Sequence, residues 1–542
     1  MTDRILAHRH RLVTDENSKW WTLGAMCFAL FMIMLDNTVV NVALPSIQRD
    51  LHASLGALEW TVNAYTLTFA VLLVTGGRLG DIFGRRKMFI FGVSVFGLSS
   101  LLIGFSTTDT MLVALRAVQG VGAAFMMPAT LAIITQAFPA EQRGTAIGTW
   151  AGVSALALAI GPVVGGFLTE DVSWRAIFFI NPPIAVVAVV VTLFAARESR
   201  DETVDKSIDF AGIASLTIGL TALVLALVES NSWGWGSARI MGLLTVAVIA
   251  LGAFVIIEKR VKNPMVDFTF FRSRTSIGAN TVGFLVSFAM FAQFFFLTLY
   301  LQNVLHYSPL ETGVRFLPST LMIMVTAPVA GRLADRVGSR PLMTIGLAIV
   351  AISMLIESRL TVHSGYGLLL PGFILMGLGM GLVMSPMSTA AMNAVDRTKA
   401  GAASGVLSMS RMVGSTFGVA VMGALVTTIG RSKLNSSLPH LATATREQIV
   451  SALGSGAAVG SHAPAQIVAA ANDAFVSALS TGLLVGAFVT LTGAVVAWTL
   501  IQRKVTATAT AAATAPATAA AQAESTTAAE AGDEASPEVT LV

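Results

Sequence analysis

The chain has 542 residues, of which 54% are hydrophobic and only 12% charged, with a mean hydropathy of +0.75. Soluble proteins average about 25% charged residues, so this composition belongs in a membrane. The net charge of +4 and pI near 9.4 do not point to nucleic acid, because basic residues in a membrane protein report the orientation of its loops.

In chain order, the first 20 residues mix charges of both signs and show neither an apolar core nor a small-residue cleavage site, so no signal peptide is expected. Apolar runs long enough to cross a core of about 30 Å as helices then recur. They fall near 21–45, 57–77, 88–106, 109–135, 144–168, 176–195, 211–229, 238–257, 277–300, 312–331, 341–358, 365–390, 402–428 and 478–501, which predicts fourteen spans and an all-α membrane protein. A β-barrel would instead alternate in segments of about 10 residues. If the spans alternate in direction, 24 of the 34 Lys and Arg fall on one face and eight on the other, which predicts that both termini are cytoplasmic.

The stretch Gly77-Arg78-Leu79-Gly80-Asp81-Ile82-Phe83-Gly84-Arg85-Arg86-Lys87 after the second span is echoed 254 positions later, where Gly331, Arg332, Leu333, Asp335, Gly338 and Arg340 match its pattern. Two pseudo-symmetric six-helix bundles follow from the echo, at 21–195 and 263–502. The two extra spans of 196–262 lie between them, flanked by charged linkers. An outer loop at 430–477 is expected to hold short amphipathic helices, with His440 and His462 in solvent. Residues 1–20 form an N-terminal tail, and the Ala/Thr-rich, terminally acidic 503–542 a disordered one, both cytoplasmic.

Charges inside spans are costly and mark functional candidates. Asp36 is the carboxylate nearest a span's centre. Desolvated there, and alternately facing water and protein, it is suited to carrying a proton. A structural role fixed by neighbouring donors is the competing reading. Arg116 stays charged and suits tuning a nearby carboxyl or holding an anion. In the glycine-rich stretch, Gly77, Asp81, Gly84, Arg85 and Arg86, with Asp335 and Arg340 of the echo, make a candidate latch: the aspartate caps a helix end while the arginines hold neighbouring carboxylates. No Gly-Lys pair occurs, so no phosphate-binding loop and no nucleotide cofactor are expected. Gly161, Pro162, Gly165 and Gly166 predict a bend with tight helix packing.

A substrate cavity is sought at Asn41, Trp60, Tyr65, Phe288, Phe291, Gln293 and Arg411. It draws on a Phe284, Phe288, Phe291, Phe295 stripe, a Met376, Met380, Met384, Met387 stripe, and the polar Gln302 and Asn303. Cys27, the one cysteine, reads as apolar filler, and no metal site is expected.

These motifs together resemble the major facilitator superfamily, in particular its fourteen-span drug:proton antiporter group. Gly77 to Lys87 resembles the signature loop and 331–340 its weaker copy. Asp36 to Pro45 resembles the first-span motif, Arg116 to Gly122 the fourth-span motif and Gly161 to Gly166 the antiporter motif. Trp174, Arg175, Phe178, Asn181 and Pro182 match a further stretch typical of the group. The resemblance implies a monomeric inner-membrane exporter of amphipathic organic compounds, driven by protons at Asp36 and Arg116 with no cofactor and pivoting at Gly161 to Gly166. A narrow exporter of one metabolite or self-resistance antibiotic is the alternative. Some relatives carry an acid in the tenth span for dicationic drugs; Thr312 to Gly331 has none, so such substrates are not expected.

Overall fold

A computed structural model describes residues 17–53, 55–200, 209–261, 264, 271–396, 399–455 and 464–502. Most of the N-terminal tail, His462 and the 503–542 segment lie outside the described residues. Among those described there is no strand.

The helices are α1 (Ser18–Leu51), α2 (Leu55–Phe83), α3 (Arg85–Gly104), α4 (Asp109–Ala137), α5 (Ala140–Phe167), α6 (Asn181–Ala195), α7 (Phe210–Trp233) and α8 (Ala238–Glu258), then α9 (Arg274–Leu299), α10 (Pro309–Val337), α11 (Ser339–Glu357), α12 (Tyr366–Asn393), α13 (Ala400–Ser437), α14 (Thr443–Ser455) and α15 (Ala465–Leu500). A one-turn helix, Ala176–Phe179, leads into α6. Thirteen are long and apolar enough to cross a membrane. The 28-residue α5, about 42 Å long at 1.5 Å per residue, completes the expected fourteen.

Local chemistry sets the helix ends. Thr108, Ser237 and Ser273 cap the first turns of α4, α8 and α9 with their side chains, and Ser308 forms a reciprocal capping box with Glu311 at α10. Gly84 alone separates α2 from α3, and Gly338 alone separates α10 from α11. Both have positive φ, at 110° and 87°, which a Cβ would strain. The same one-residue break thus recurs at the expected 254-residue interval.

Helices α1 to α6 pack as one group, and α9 to α13 with α15 as the other. The groups meet along two seams, α5 on α10 and α2 on α13. The hairpin α7–α8 sits beside the second seam, where Leu216, Leu220 and Phe254 pack on Val71, Val74 and Val406. The face bearing Gly84, Gly338 and the first turn of α13 is called the basic face below.

One expectation changes in extent. The 430–477 segment is largely helical: α13 runs to Ser437 and α15 begins at Ala465, with α14 between them. The alanine-rich start of α15, from Ala465 to Ala474, is helical although its hydropathy is low. Arg431 and Glu447 pair at 2.7 Å across this region.

Candidate functional site

Asp36 of α1 is 1% exposed and accepts hydrogen bonds from two neighbouring helices. Arg116 NH1 of α4 lies 2.6 Å from Oδ2. Gln119 Nε2, one turn further along α4, donates to Oδ1 at 3.0 Å, and Asn181 Nδ2 of α6 donates to Oδ1 at 3.2 Å. Arg116 in turn donates from Nε to the Thr61 carbonyl at 3.0 Å and from NH1 to Gln119 Oε1 at 2.7 Å, and its guanidinium lies 4.2 Å over the Tyr65 ring. Asn181 also donates to Ser100 Oγ at 2.9 Å. Gly120 brings α4 onto α2, since a Cβ there would fall 2.6 Å from the Tyr65 carbonyl oxygen. In this cluster both carboxylate oxygens accept hydrogen bonds and a guanidinium lies beside them.

At the basic face the halves are joined by two clasps. Asp81 of α2 accepts from Arg85 Nε and NH2 at 2.9 and 2.8 Å, and from the backbone N–H of Gly401 and Ala402 at 3.0 and 2.7 Å. α13 starts at Ala400, so these are first-turn amides with no partner in their own helix, aligned with the positive end of its dipole. In the echo, Asp335 of α10 accepts from the N–H of Gly144 and Thr145 of α5 at 3.1 and 3.3 Å. The glycines permit the approach: a Cβ on Gly77 would strike the Gly401 carbonyl, and one on Gly331 the Gly144 carbonyl.

The copies differ in their cations. Ser339 stands where the first copy has Arg85, so Asp335 has no arginine of that kind. Arg340 lies 4.2 Å over the Trp498 ring rather than on a carboxylate. Arg86 also departs from the expectation: its NH1 donates to the Ala196 carbonyl at 3.3 Å, and its backbone N–H donates to Glu198 Oε1 at 3.1 Å. Glu198 packs directly over Gly84, where a Cβ would fall 2.6 Å from its Oε1. Sequence reading missed Glu198 because it looked like one charge among many in a linker.

α5 ties these two regions together. Towards the basic face it runs along α10, with a Cβ on Gly148 falling 2.6 Å from the Ala327 carbonyl oxygen. At its other end Gly161 faces the Thr38 hydroxyl and Gly165 faces Val39, the turn of α1 that follows Asp36. The helix passes through Pro162 unbroken. Gly166 is a correction to the expected packing motif: nothing lies within 4 Å of where its Cβ would be, because it points away from α1.

The model of the Major Facilitator Superfamily matches residues 26–419. The chain belongs to that superfamily. The tetracenomycin C resistance and export protein of Streptomyces glaucescens is 38% identical over 75% of this chain and 76% of its own length. The multidrug resistance protein Stp of Mycobacterium tuberculosis (strain CDC 1551 / Oshkosh) is 36% identical over 79% of each. The crystal structure of the human organic anion transporter MFSD10 superposes with a TM-score of 0.55 at 13% identity, covering 88% of this chain and all of that one, which shows the shared fold. The chain is therefore a multi-pass membrane transporter of small molecules, similar to bacterial multidrug and antibiotic resistance exporters and not to enzymes.

Within this major facilitator fold the expected cavity residues separate. Asn41, Trp60 and Phe291 are exposed. Tyr65 is 1% exposed and belongs to the Asp36 cluster, beneath Arg116. Phe288 is buried, its ring 5.9 Å from that of Phe417, and lines only a cavity of about 10 Å³, while Met376, Met380 and Met387 lie in the core and pack helices. Gln293 is buried too, because it donates to Glu357 of α11. Glu357 is another fully buried carboxylate, at 0% exposed like Asp81. At the end of an apolar run it passed for a flanking charge. Arg411 of α13 packs against Gly283 of α9.

The remaining motif of the superfamily resemblance closes the face opposite the basic one. Trp174 Nε1 and Arg175 NH1 both donate to Asp50 Oδ2, at 3.0 and 2.6 Å. Those hydrogen bonds, that of Arg175 first, hold the Asp50 carboxyl below the usual carboxylate range. Among the described residues no three His, Cys, Asp or Glu converge as a metal would require.

Proposed function

We propose that this transporter is a proton-driven antiporter that exports amphipathic organic compounds by alternating access, in a bacterial inner membrane with both termini cytoplasmic. The observation that carries this reading is the Asp36–Arg116 pair at 2.6 Å, buried in the turn of α1 that α5 covers with Gly161. Protonating Asp36 removes the attraction that holds α1, α4 and α6 together. The adjoining turn of α1 packs on α5 at Gly161 and Gly165, and the other end of α5 forms a seam with α10, so a change at Asp36 is passed through α1 to an element that both halves share. With the basic face taken as cytoplasmic, the two clasps belong to the outward-facing state, in which Asp36 has released its proton. No cofactor is needed, since the proton gradient supplies the work. The exposed Asn41, Trp60 and Phe291 suit a flat, partly apolar substrate.

The test is substrate-induced proton movement in inverted vesicles. Wild-type protein should move protons on substrate addition, and Asp36→Asn should abolish coupling while still binding substrate. Full proton-coupled transport by Asp36→Asn would overturn the assignment. A narrow exporter of a single antibiotic is the second reading, favoured by the relative named for tetracenomycin C. A panel of unrelated amphipathic compounds in the same vesicles decides between them.

A further inference from the structure

Glu357 ends α11 at the face opposite the basic one and is 0% exposed. Its Oε2 accepts a hydrogen bond from Gln293 Nε2 of α9. Among the described residues its Oε1 has no partner, and neither does Gln293 Oε1, itself on a residue only 3% exposed. The Ser353 hydroxyl, one turn back on α11, lies beside the Glu357 carboxyl but donates to the Gly372 carbonyl at 2.8 Å. Both Asp36 oxygens, in contrast, accept hydrogen bonds.

No counter-charge comes from the helices around the pair. α12, which presents Gly372 to Glu357, has no charged residue. α9 carries only Arg274, at its far end, and α15 only Asp473, which faces Lys433 at 3.9 Å; α13, whose Met422 lines the adjoining cavity, carries Arg411 about three turns away against Gly283 and Arg431 on Glu447. Arg315 of α10 lies over the Tyr307 ring, and Arg359 and His363 of the adjoining loop are exposed. A carboxylate taken out of water with no cation must be neutralised by something it binds. The room on the Gln293 side of the pair is small: a cavity of about 10 Å³, lined by Phe288, Ala292, Gln293, Met354 and Met422 but not by Glu357 itself, accommodates about one water. Gly372 seals the other side, since a Cβ there would fall 2.5 Å from Glu357 Oε1. That space excludes the ammonium group of an organic substrate and suits a proton.

We propose that Glu357 and Gln293 form a second proton-binding site, in the C-terminal half and separate from Asp36. This rests on the proton-driven reading, in whose orientation the site lies at the outer end of the bundle, where protons enter. The proton bonds to one Glu357 oxygen, and rotation of the Gln293 amide lets its free oxygen accept from that hydroxyl.

The test is infrared difference spectroscopy of the full chain in lipid nanodiscs, titrated with acid and followed at the C=O stretch of protonated carboxyl groups. Wild type should show a titrating band that is absent from Glu357→Gln and present in Asp36→Asn. Gln293→Met, which removes the hydrogen-bonding partner and keeps the volume, should shift the frequency of that band. The shift reads the same site should Glu357→Gln fail to fold. A band of full size in folded Glu357→Gln, or an unmoved band in Gln293→Met, would overturn the proposal. So would loss of the wild-type band on adding sodium chloride at constant pH, which would mark a metal-cation site. Absence of substrate-driven proton movement in vesicles, with the Glu357 band intact, would remove the antiport reading and leave the proton site standing.

Discussion

Asp81 and Gly401 lie 320 residues apart and meet at 3.0 Å across the boundary between the two halves, carboxylate to backbone amide. The bond uses a helix terminus that every α-helix leaves unpartnered, so it asks nothing of the α13 side chains except that they be small enough to admit Asp81. Arg85 orients the carboxylate from within α3. A related bond runs in reverse between Asp335 and Gly144, but there the carboxylate meets amides in the second turn of α5 and not at its terminus.

Replacing Asp81 by Asn removes its ion pair with Arg85, which is 1% exposed, and weakens the two charge-assisted hydrogen bonds from Gly401 and Ala402, each worth about 1.5–3 kcal/mol. The clasp should open. Cys27 is buried, so spin labels can be directed to Phe83→Cys and Leu333→Cys, both exposed positions on the basic face. Asp81→Asn should lengthen and broaden the distance between them, and an unchanged distribution would show that the carboxylate does not hold the halves together.

Asp335→Asn should be milder. Its carboxylate is half-buried, its backbone bonds are longer at 3.1 and 3.3 Å, and Ser339 stands where Arg85 would be, so the change weakens hydrogen bonds and breaks no ion pair of the Arg85 kind. The same label pair should shift less than in Asp81→Asn. A larger shift would mean that the second clasp dominates.

Asp36→Asn and Arg116→Gln each leave one buried charge alone, whereas the double variant removes both. The double should melt higher in detergent than either single, with a coupling of about 3 kcal/mol. Additive losses would mean that the two groups do not stabilise one another.

Gly161 and Gly166 should respond in opposite ways to alanine. A methyl at 161 runs into the Thr38 hydroxyl and should cost about 1–3 kcal/mol, with slowed transport. One at 166 meets nothing and should leave both stability and transport near wild type. Equal sensitivity of the two positions, read by melting and by transport in vesicles, would contradict the contact between α5 and α1.

Asp50 provides the pH control. Its carboxyl is held below the usual range, so the contribution of its bonds to Arg175 and Trp174 is fully present above the unfolded value and is lost only as pH falls through the lowered one. The group is exposed, so that contribution is under about 1 kcal/mol. Asp50→Asn should leave the pH profile of transport near neutrality unchanged. A displaced profile would place Asp50 in the proton path.

The sequence by itself determined the all-helical, many-span architecture, its doubling at 254 residues and the presence of a carboxylate in the first span and an arginine in the fourth. Each is a property of one run of residues: an apolar length, a repeated turn, a charge where charge is costly. Only the tertiary structure decided what each group touches. Asp36 acquires Gln119 and Asn181, Arg340 goes to a ring, Gln293 turns from open space to Glu357, and Tyr65 lies under Arg116. Those outcomes depend on how each helix is rotated and on which helix it lies beside. Both are set by close packing among residues tens to hundreds of positions apart, which a linear pattern of apolar and polar residues does not encode.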